Sequence, residues 1–336
     1  MKSILLQKPG LVQFQTAPLP KPLEDEVLVK IRRIGVCGTD FHAFQGKQPF
    51  FTYPRTLGHE LAAEIAEVGD RIDGLRKGDV CAVEPYLTCG RCIACRCGKA
   101  NCCVELRCLG VHVDGGMCEY LSVPAKNLHK SDRLTLDQLA LVEPLCIGAH
   151  AVERASVRLG EWVLVIGAGP IGLATTQFAL AKGATVVVMD VNESRLRFTK
   201  GALGIKYCID ATRDPLAQLE KLVPELPSAV FDCTGNQSSM EDSFRYVAHG
   251  GRLTFVGLIQ GNVTFSDPHF HRREMTLLSS RNSNGGDFRR VIGLLENGTI
   301  NVDDWITHRC AFDELIDALP RWADPKTGVI KGLVEL

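Results

Sequence analysis

Trp162-Val163-Leu164-Val165-Ile166-Gly167-Ala168-Gly169-Pro170-Ile171-Gly172 is the stretch that decides the fold. Trp162 to Ile166 reads as a buried strand and Ile171 to Lys182 as a helix, with G-x-G-x-x-G between them. In that setting the first glycine makes the turn. The second lets backbone approach a pyrophosphate, and the third lets helix pack on strand. The phosphates then meet a helix N-terminus. Thr185 to Met189 is the next strand, and Asp190 ends it eighteen residues after Gly172. A carboxylate there takes the ribose hydroxyls of NAD and repels the 2′-phosphate of NADP. The expected NAD-binding residues are therefore Gly167, Gly169, Pro170, Ile171, Gly172 and Asp190. Against the preference for NAD, Arg195 and Arg197 follow closely and suit either phosphate partners or a solvated helix face; Arg195 is counted with the cofactor-binding residues.

Working outward, the alternation continues. Helices are expected at Ser194 to Leu203, Leu216 to Val223 and Met240 to Ala248. Strands are expected at Lys206 to Ile209, Ala229 to Cys233, Arg252 to Val256 and Met275 to Ser280. Six strands with intervening helices predict a parallel, doubly wound sheet. The N-terminal part has a different texture. Glu26 to Arg32, Leu61 to Val68, Asp79 to Val83 and Cys118 to Val123 read as short strands. Glycine- and proline-rich turns separate them, one at Gly69-Asp70, and this argues a β-barrel-like module. Leu136 to Leu145 and Ile147 to Arg154 have helical spacing, broken at Pro144. Beyond Asn284 come a helix (Phe288 to Asn297), a strand (Thr307 to Cys310), a helix (Phe312 to Trp322) and a last strand (Gly332 to Leu336). These are too few for a third domain and belong with the first. The chain is thus expected to be α/β, with a discontinuous domain of residues 1–147 and 284–336 interrupted by a dinucleotide-binding domain of residues 148–283.

Bulk properties exclude several classes. The 336 residues are 45% hydrophobic and 23% charged, with a net charge of −1 and a pI near 6.7. No basic field invites nucleic acid or an anionic membrane. Trp162 to Ala181 is as long as a membrane span but is interrupted by Gly167, Gly169, Pro170 and Gly172, so no membrane association is expected. No secretion signal is read at the N-terminus, and a cytoplasmic location follows as the expectation.

Seven of the fourteen cysteines fall between Cys89 and Cys108. In a reducing compartment, clustered thiols bind metal more often than they pair. Cys89, Cys92 and Cys95 repeat C-x2-C, and Cys103 follows eight residues later. Four thiolates at this spacing can close a tetrahedral shell around a structural zinc within a lobe of about residues 85–110. Cys102 competes with Cys103, and Cys97 is spare. A second constellation opens Gly35-Val36-Cys37-Gly38-Thr39-Asp40-Phe41-His42 and closes Gly58-His59-Glu60. Cys37 and His59 suit a catalytic zinc, and a carboxylate suits its third ligand. Glu60 and Glu143, the latter in Val142-Glu143-Pro144-Leu145, are the two candidates.

Taken together, these motifs resemble the zinc-dependent medium-chain alcohol dehydrogenases over essentially the whole length. The resemblance implies a GroES-like barrel joined to a Rossmann domain, and two zinc ions per chain, one catalytic and one structural. Glu143-Pro144 stands where liver-type members carry a cysteine ligand, which places the chain nearer the polyol, sorbitol-like and threonine-like branch. Implied roles follow. Asp40 orients His59, Thr39 bonds the substrate hydroxyl, and His42 passes the proton to solvent through the cofactor ribose. More narrowly, Gln48 to Arg55, Gly110 to Gly116 and Phe265 to Pro268 resemble bacterial hexonate dehydrogenases, which oxidise L-galactonate or L-gulonate at C5. Arg281 matches a substrate-binding arginine, suited to a carboxylate, and equally suits a salt bridge. Homo-oligomers, dimers or tetramers, are usual in the family, with the strand from Met275 to Ser280 extending the sheet. The competing readings are a dehydrogenase of neutral polyols or L-threonine, and a non-catalytic zinc- and nucleotide-binding redox sensor. A sensor has no need of the relay Thr39 and His42.

Overall fold

The computed structural model describes residues 1–69 and 71–336; Asp70, in the turn expected at Gly69-Asp70, lies outside them. The chain divides into two compact units, Met1–Glu143 with Asn284–Leu336, and Pro144–Ser283.

The first unit is built on a seven-stranded sheet. Its main path runs Leu128–Lys130, Val80–Val83, Glu60–Val68, Glu26–Val36, Lys331–Glu335, Ile306–Ala311, and Tyr120–Pro124 pairs with Glu26–Val36 off that path. The strand at the far end of the chain completes this sheet, with Gly332 opposite Val36 and Val334 opposite Ile34. Alternation along Glu26–Val36 turns Val27, Val29 and Ile31 into a core shared with Ile65, Trp322 and Val334. Each such side chain contributes about 1.5–3 kcal/mol by leaving water. A two-stranded hairpin, Tyr86–Leu87 with Arg107–Cys108, closes the base of the cysteine lobe and sets Tyr86 opposite Cys108.

The second unit carries six strands, all parallel, in the order Tyr207–Asp210, Thr185–Asp190, Trp162–Ile166, Ala229–Asp232, Arg252–Phe255, Thr276–Ser279. By sequence rank this is three-two-one-four-five-six, the order of dinucleotide-binding sheets. Val163–Ile166 and Val186–Asp190 are unbroken buried runs, as expected of parallel strands covered on both faces. The apolar stretch from Trp162 resolves into a strand, a tight turn and the helix Pro170–Ala181. Among the described residues, no helix is long and apolar enough to cross a membrane.

Two local expectations are corrected, and one helix lies where none is expected. The helix Val142–Arg154 runs straight through Pro144, and the break falls at Leu141, after Leu136–Ala140. Proline is tolerated in the first helical turn because its missing N–H would have no intrahelical acceptor there. The helix expected from Met240 instead begins at Gln237 and passes into a 3-10 turn, Ser243–Tyr246. Asn236 caps it by accepting from the Ser239 N–H, and Asp232 accepts from the Ser239 hydroxyl at 2.6 Å, which draws the start forward. Gly38–Phe44, a short helix inside the cysteine-histidine window, carries no periodic signal long enough to read.

Candidate active site

Two strand ends meet in the first unit. Glu26–Val36 leads into Cys37, and Glu60–Val68 begins just after His59, with Gly35 and Glu60 directly opposite. A Cβ on Gly35 would lie 2.2 Å from Glu60 Oε2, so glycine is what allows the carboxylate its position. The ligand atoms of Cys37, His59 and Glu60 lie within 4.8 Å of one another. Sulfur, nitrogen and oxygen donors at this separation fit zinc.

The surroundings support that fit. Asp40 is buried on the helix Gly38–Phe44 and accepts from the Cys37 backbone N–H at 2.9 Å. Its other oxygen lies 3.8 Å from His59 Nδ1, and neither of these buried atoms has a hydrogen-bond partner. A carboxylate facing the spare ring nitrogen is the arrangement that orients a metal-ligating histidine. Burial by itself would lower the His59 pKa, but the facing Cys37 and Asp40 charges hold it well above the ordinary range. Burial raises the Asp40 pKa, against the opposing influence of His59.

Lys331 is a site residue that the sequence reading does not single out. It is 2% exposed, and its Nζ lies 2.7 Å from each oxygen of Glu60. Burial would lower its pKa, but Glu60 and then Cys37 raise it. Removing one partner of such a pair strands a charge away from water, at a cost of about 3–5 kcal/mol. Each carboxylate oxygen keeps a second lone pair, so Glu60 can hold Lys331 and still face a cation. Among the described residues, the acidic groups here face the basic groups His59 and Lys331, and a divalent cation would add positive charge to this set.

Glu143, buried at the start of Val142–Arg154, lies outside the three-ligand group. It accepts a hydrogen bond from the Tyr86 hydroxyl. Burial pushes its carboxyl up to about 7, with Glu60 adding to the rise and His59, Tyr86 and Lys331 opposing it. A metal cation nearby would favour the ionised form instead. Cys108 is also buried here. Burial pushes its thiol up to about 12, while the nearby His59 charge opposes the shift. Thr39 is half-buried and His42 exposed on the helix after Cys37. Although its surface is open to solvent, desolvation by the protein around it, then the Lys47 charge, lowers the His42 pKa.

The cysteine lobe holds the other cluster. The sulfurs of Cys89, Cys92, Cys95 and Cys103 lie within 4.8 Å of one another. Cys97 and Cys102 are exposed and outside that group.

In the second unit, Gly167 has φ +98°, and a Cβ on Gly172 would sit 1.7 Å from the Gly167 carbonyl oxygen. Both positions require glycine. Asp190 ends its strand buried. One of its oxygens accepts from the Ala168 N–H at 2.6 Å and the other from the Asn192 N–H at 2.7 Å. The Arg195 guanidinium lies 3.8 Å from where a Gly169 Cβ would stand. Arg197 is taken by Glu193 at 2.6 Å. Pro170 and Ile171 open the helix that follows the loop. Arg281 is exposed, beyond the strand Thr276–Ser279.

Comparison with known proteins agrees with this geometry. Residues 23–133 match the alcohol dehydrogenase GroES-like domain and residues 170–297 the zinc-binding dehydrogenase domain. The chain belongs to the zinc-dependent medium-chain alcohol dehydrogenases, in their polyol branch, and is an oxidoreductase acting on CH–OH groups. It is 42% identical over 335 residues to L-galactonate-5-dehydrogenase of Escherichia coli K12, covering 99% of this chain and 98% of that one. It is 30% identical over 325 residues to sorbitol dehydrogenase of Halalkalibacterium halodurans, covering 94% of each. The crystal structure of the alcohol dehydrogenase rspB from E. coli CFT073, complexed with NADH, has a TM-score of 0.93 at 32% identity, covering 100% of this chain and 99% of that one.

Proposed function

We propose that this chain is a zinc-dependent, NAD-linked dehydrogenase that oxidises the C5 hydroxyl of a six-carbon sugar acid, L-galactonate or L-gulonate, to the ketone. The observation that carries the reaction is the convergence of Cys37, His59 and Glu60 within 4.8 Å. The similarity to L-galactonate-5-dehydrogenase supports the substrate.

When bound, zinc supplies the Lewis acidity that makes a secondary hydroxyl acidic near neutral pH, and the nicotinamide accepts the hydride. The chain's own residues hold and orient. Cys37, His59 and Glu60 form the catalytic metal site, and Asp40 keeps the His59 ring in register. Glu143 supplies a second carboxylate to the same centre. Thr39 bonds the reacting hydroxyl, and His42, exposed and with a lowered pKa, takes the proton onward to water. Gly167, Gly169, Pro170, Ile171 and Gly172 bring backbone to the cofactor's pyrophosphate, with Arg195 beside it. The Asp190 oxygens retain acceptor capacity for the ribose hydroxyls. Cys89, Cys92, Cys95 and Cys103 would hold the structural zinc. Arg281 would pair with the substrate carboxylate. Self-association into a dimer or tetramer would use Thr276–Ser279, the edge strand of its sheet, which exposes Thr276 and Leu277.

A neutral polyol is the second reading, favoured by the sorbitol dehydrogenase relative. NADH formation measured across L-galactonate, L-gulonate, sorbitol, galactitol and L-threonine separates the two. The hexonates are expected to give the highest kcat/KM. A polyol or L-threonine that matches them would overturn the sugar-acid assignment. No turnover of any alcohol by zinc-replete protein would favour the redox-sensor reading.

A further inference from the structure

Tyr86 reaches Glu143 from a strand whose partner residue, Cys108, is buried near His59. It is buried, and its hydroxyl donates to Glu143 across 57 residues of sequence. Its backbone is held from two sides. Asn127, itself buried, donates its side-chain amide to the carbonyls of Glu84 and Tyr86 at 2.9 and 3.1 Å, and its own carbonyl accepts from the Glu84 N–H at 2.8 Å. Glu84 is in turn paired with His129 at 2.9 Å, and the His129 ring stacks on Phe288. On the other side, Tyr86 pairs with Cys108 in the hairpin, and the Leu109 N–H donates to the Pro85 carbonyl at 3.0 Å. The backbone that carries Tyr86 is thus held on both sides, and its buried ring sets the hydroxyl against Glu143.

We propose that Tyr86 is the positioning residue for Glu143. Its hydroxyl engages Oε1, which restrains the carboxylate and leaves its other acceptor positions for the centre. The hairpin that presents Tyr86 also closes the cysteine lobe, because Cys89 follows three residues later and Cys103 precedes Cys108 by five. The structural metal lobe therefore sets the register of a residue that orients the catalytic centre. This rests on the assignment of Glu143 to that centre.

Tyr86→Phe keeps the buried ring and removes only the hydroxyl. Groups that orient a metal centre typically change affinity or activity ten- to hundredfold on removal. The Y86F enzyme is expected to lose about ten- to hundredfold in kcat, with KM moving less. With cobalt(II) in the catalytic site, its visible d–d bands should be displaced in the same sense as in Glu143→Gln, while zinc stays in the cysteine lobe. In the E143Q background, Y86F should add little further loss, because the two residues share one interaction. A Y86F enzyme with wild-type kcat and cobalt spectrum, beside an impaired E143Q, would overturn the Tyr86 role alone. So would losses that simply add. An E143Q enzyme with wild-type turnover and spectrum would remove Glu143 from the centre, and the Tyr86 role with it.

Discussion

Replacing Cys37 by serine is expected to abolish NADH formation and to remove about one of two zinc equivalents per chain. The thiolate is the softest donor of the Cys37, His59, Glu60 group, and a serine hydroxyl at neutral pH is a poor substitute for it. Lewis-acid polarisation contributes several kcal/mol to such reactions, so kcat/KM should fall by about three orders of magnitude or more. The fold should survive. Cys37 is only partly buried at the start of the helix Gly38–Phe44, and the Glu60–Lys331 pair beneath it is untouched. Unchanged circular dichroism with one zinc lost is the expected combination, read by metal analysis on the purified variant. Full metal content together with full turnover would refute the assignment.

Cys92→Ser should act through stability instead. The cysteine lobe has little apolar interior, for Ile93 and Val104 are 67% and 72% exposed. What holds it is the sulfur cluster itself, with Cys103 Sγ 3.5 Å from Cys89 Sγ and accepting from the Cys89 N–H at 3.3 Å. Where metal binding supplies the folding free energy of a segment, losing a ligand unfolds that segment. The variant is expected to melt about 10 °C or more below the parent, the shift that a loss of several kcal/mol produces in a unit of this size. Turnover should fall as well, because the Tyr86–Cys108 pairing closes the same lobe. A variant with parental Tm and two zinc equivalents would show that the cluster is incidental.

What was legible in the sequence is what short-range spacing encodes. The glycine loop sits between a strand and a helix because both are local, and C-x2-C pairs sit on one turn. The partners of Glu60 and Glu143 were not legible. Lys331 reaches Glu60 across 271 residues because the last strand pairs with Glu26–Val36, and only the antiparallel register reveals it. Its one local sign was a lysine flanked by Ile330 and, past Gly332, by Leu333 and Val334. No spacing or motif marks Tyr86 in the sequence. Cys108 was counted among the clustered cysteines, whereas its buried place beside His59 comes from the hairpin pairing, not from spacing. Sequence alone left Glu60 and Glu143 as equal candidates. Geometry distinguishes them, since Glu60 lies within the ligand group and Glu143 hangs from Tyr86.

The central claim is that a hydride leaves C5 of a sugar acid for NAD at this centre. The direct measurement uses L-galactonate carrying deuterium at C5, with mass analysis of the NADH formed. The account predicts one deuterium on the nicotinamide ring and a slowed rate wherever hydride transfer limits turnover. NADH formed without the label would place the oxidation at another carbon and contradict it.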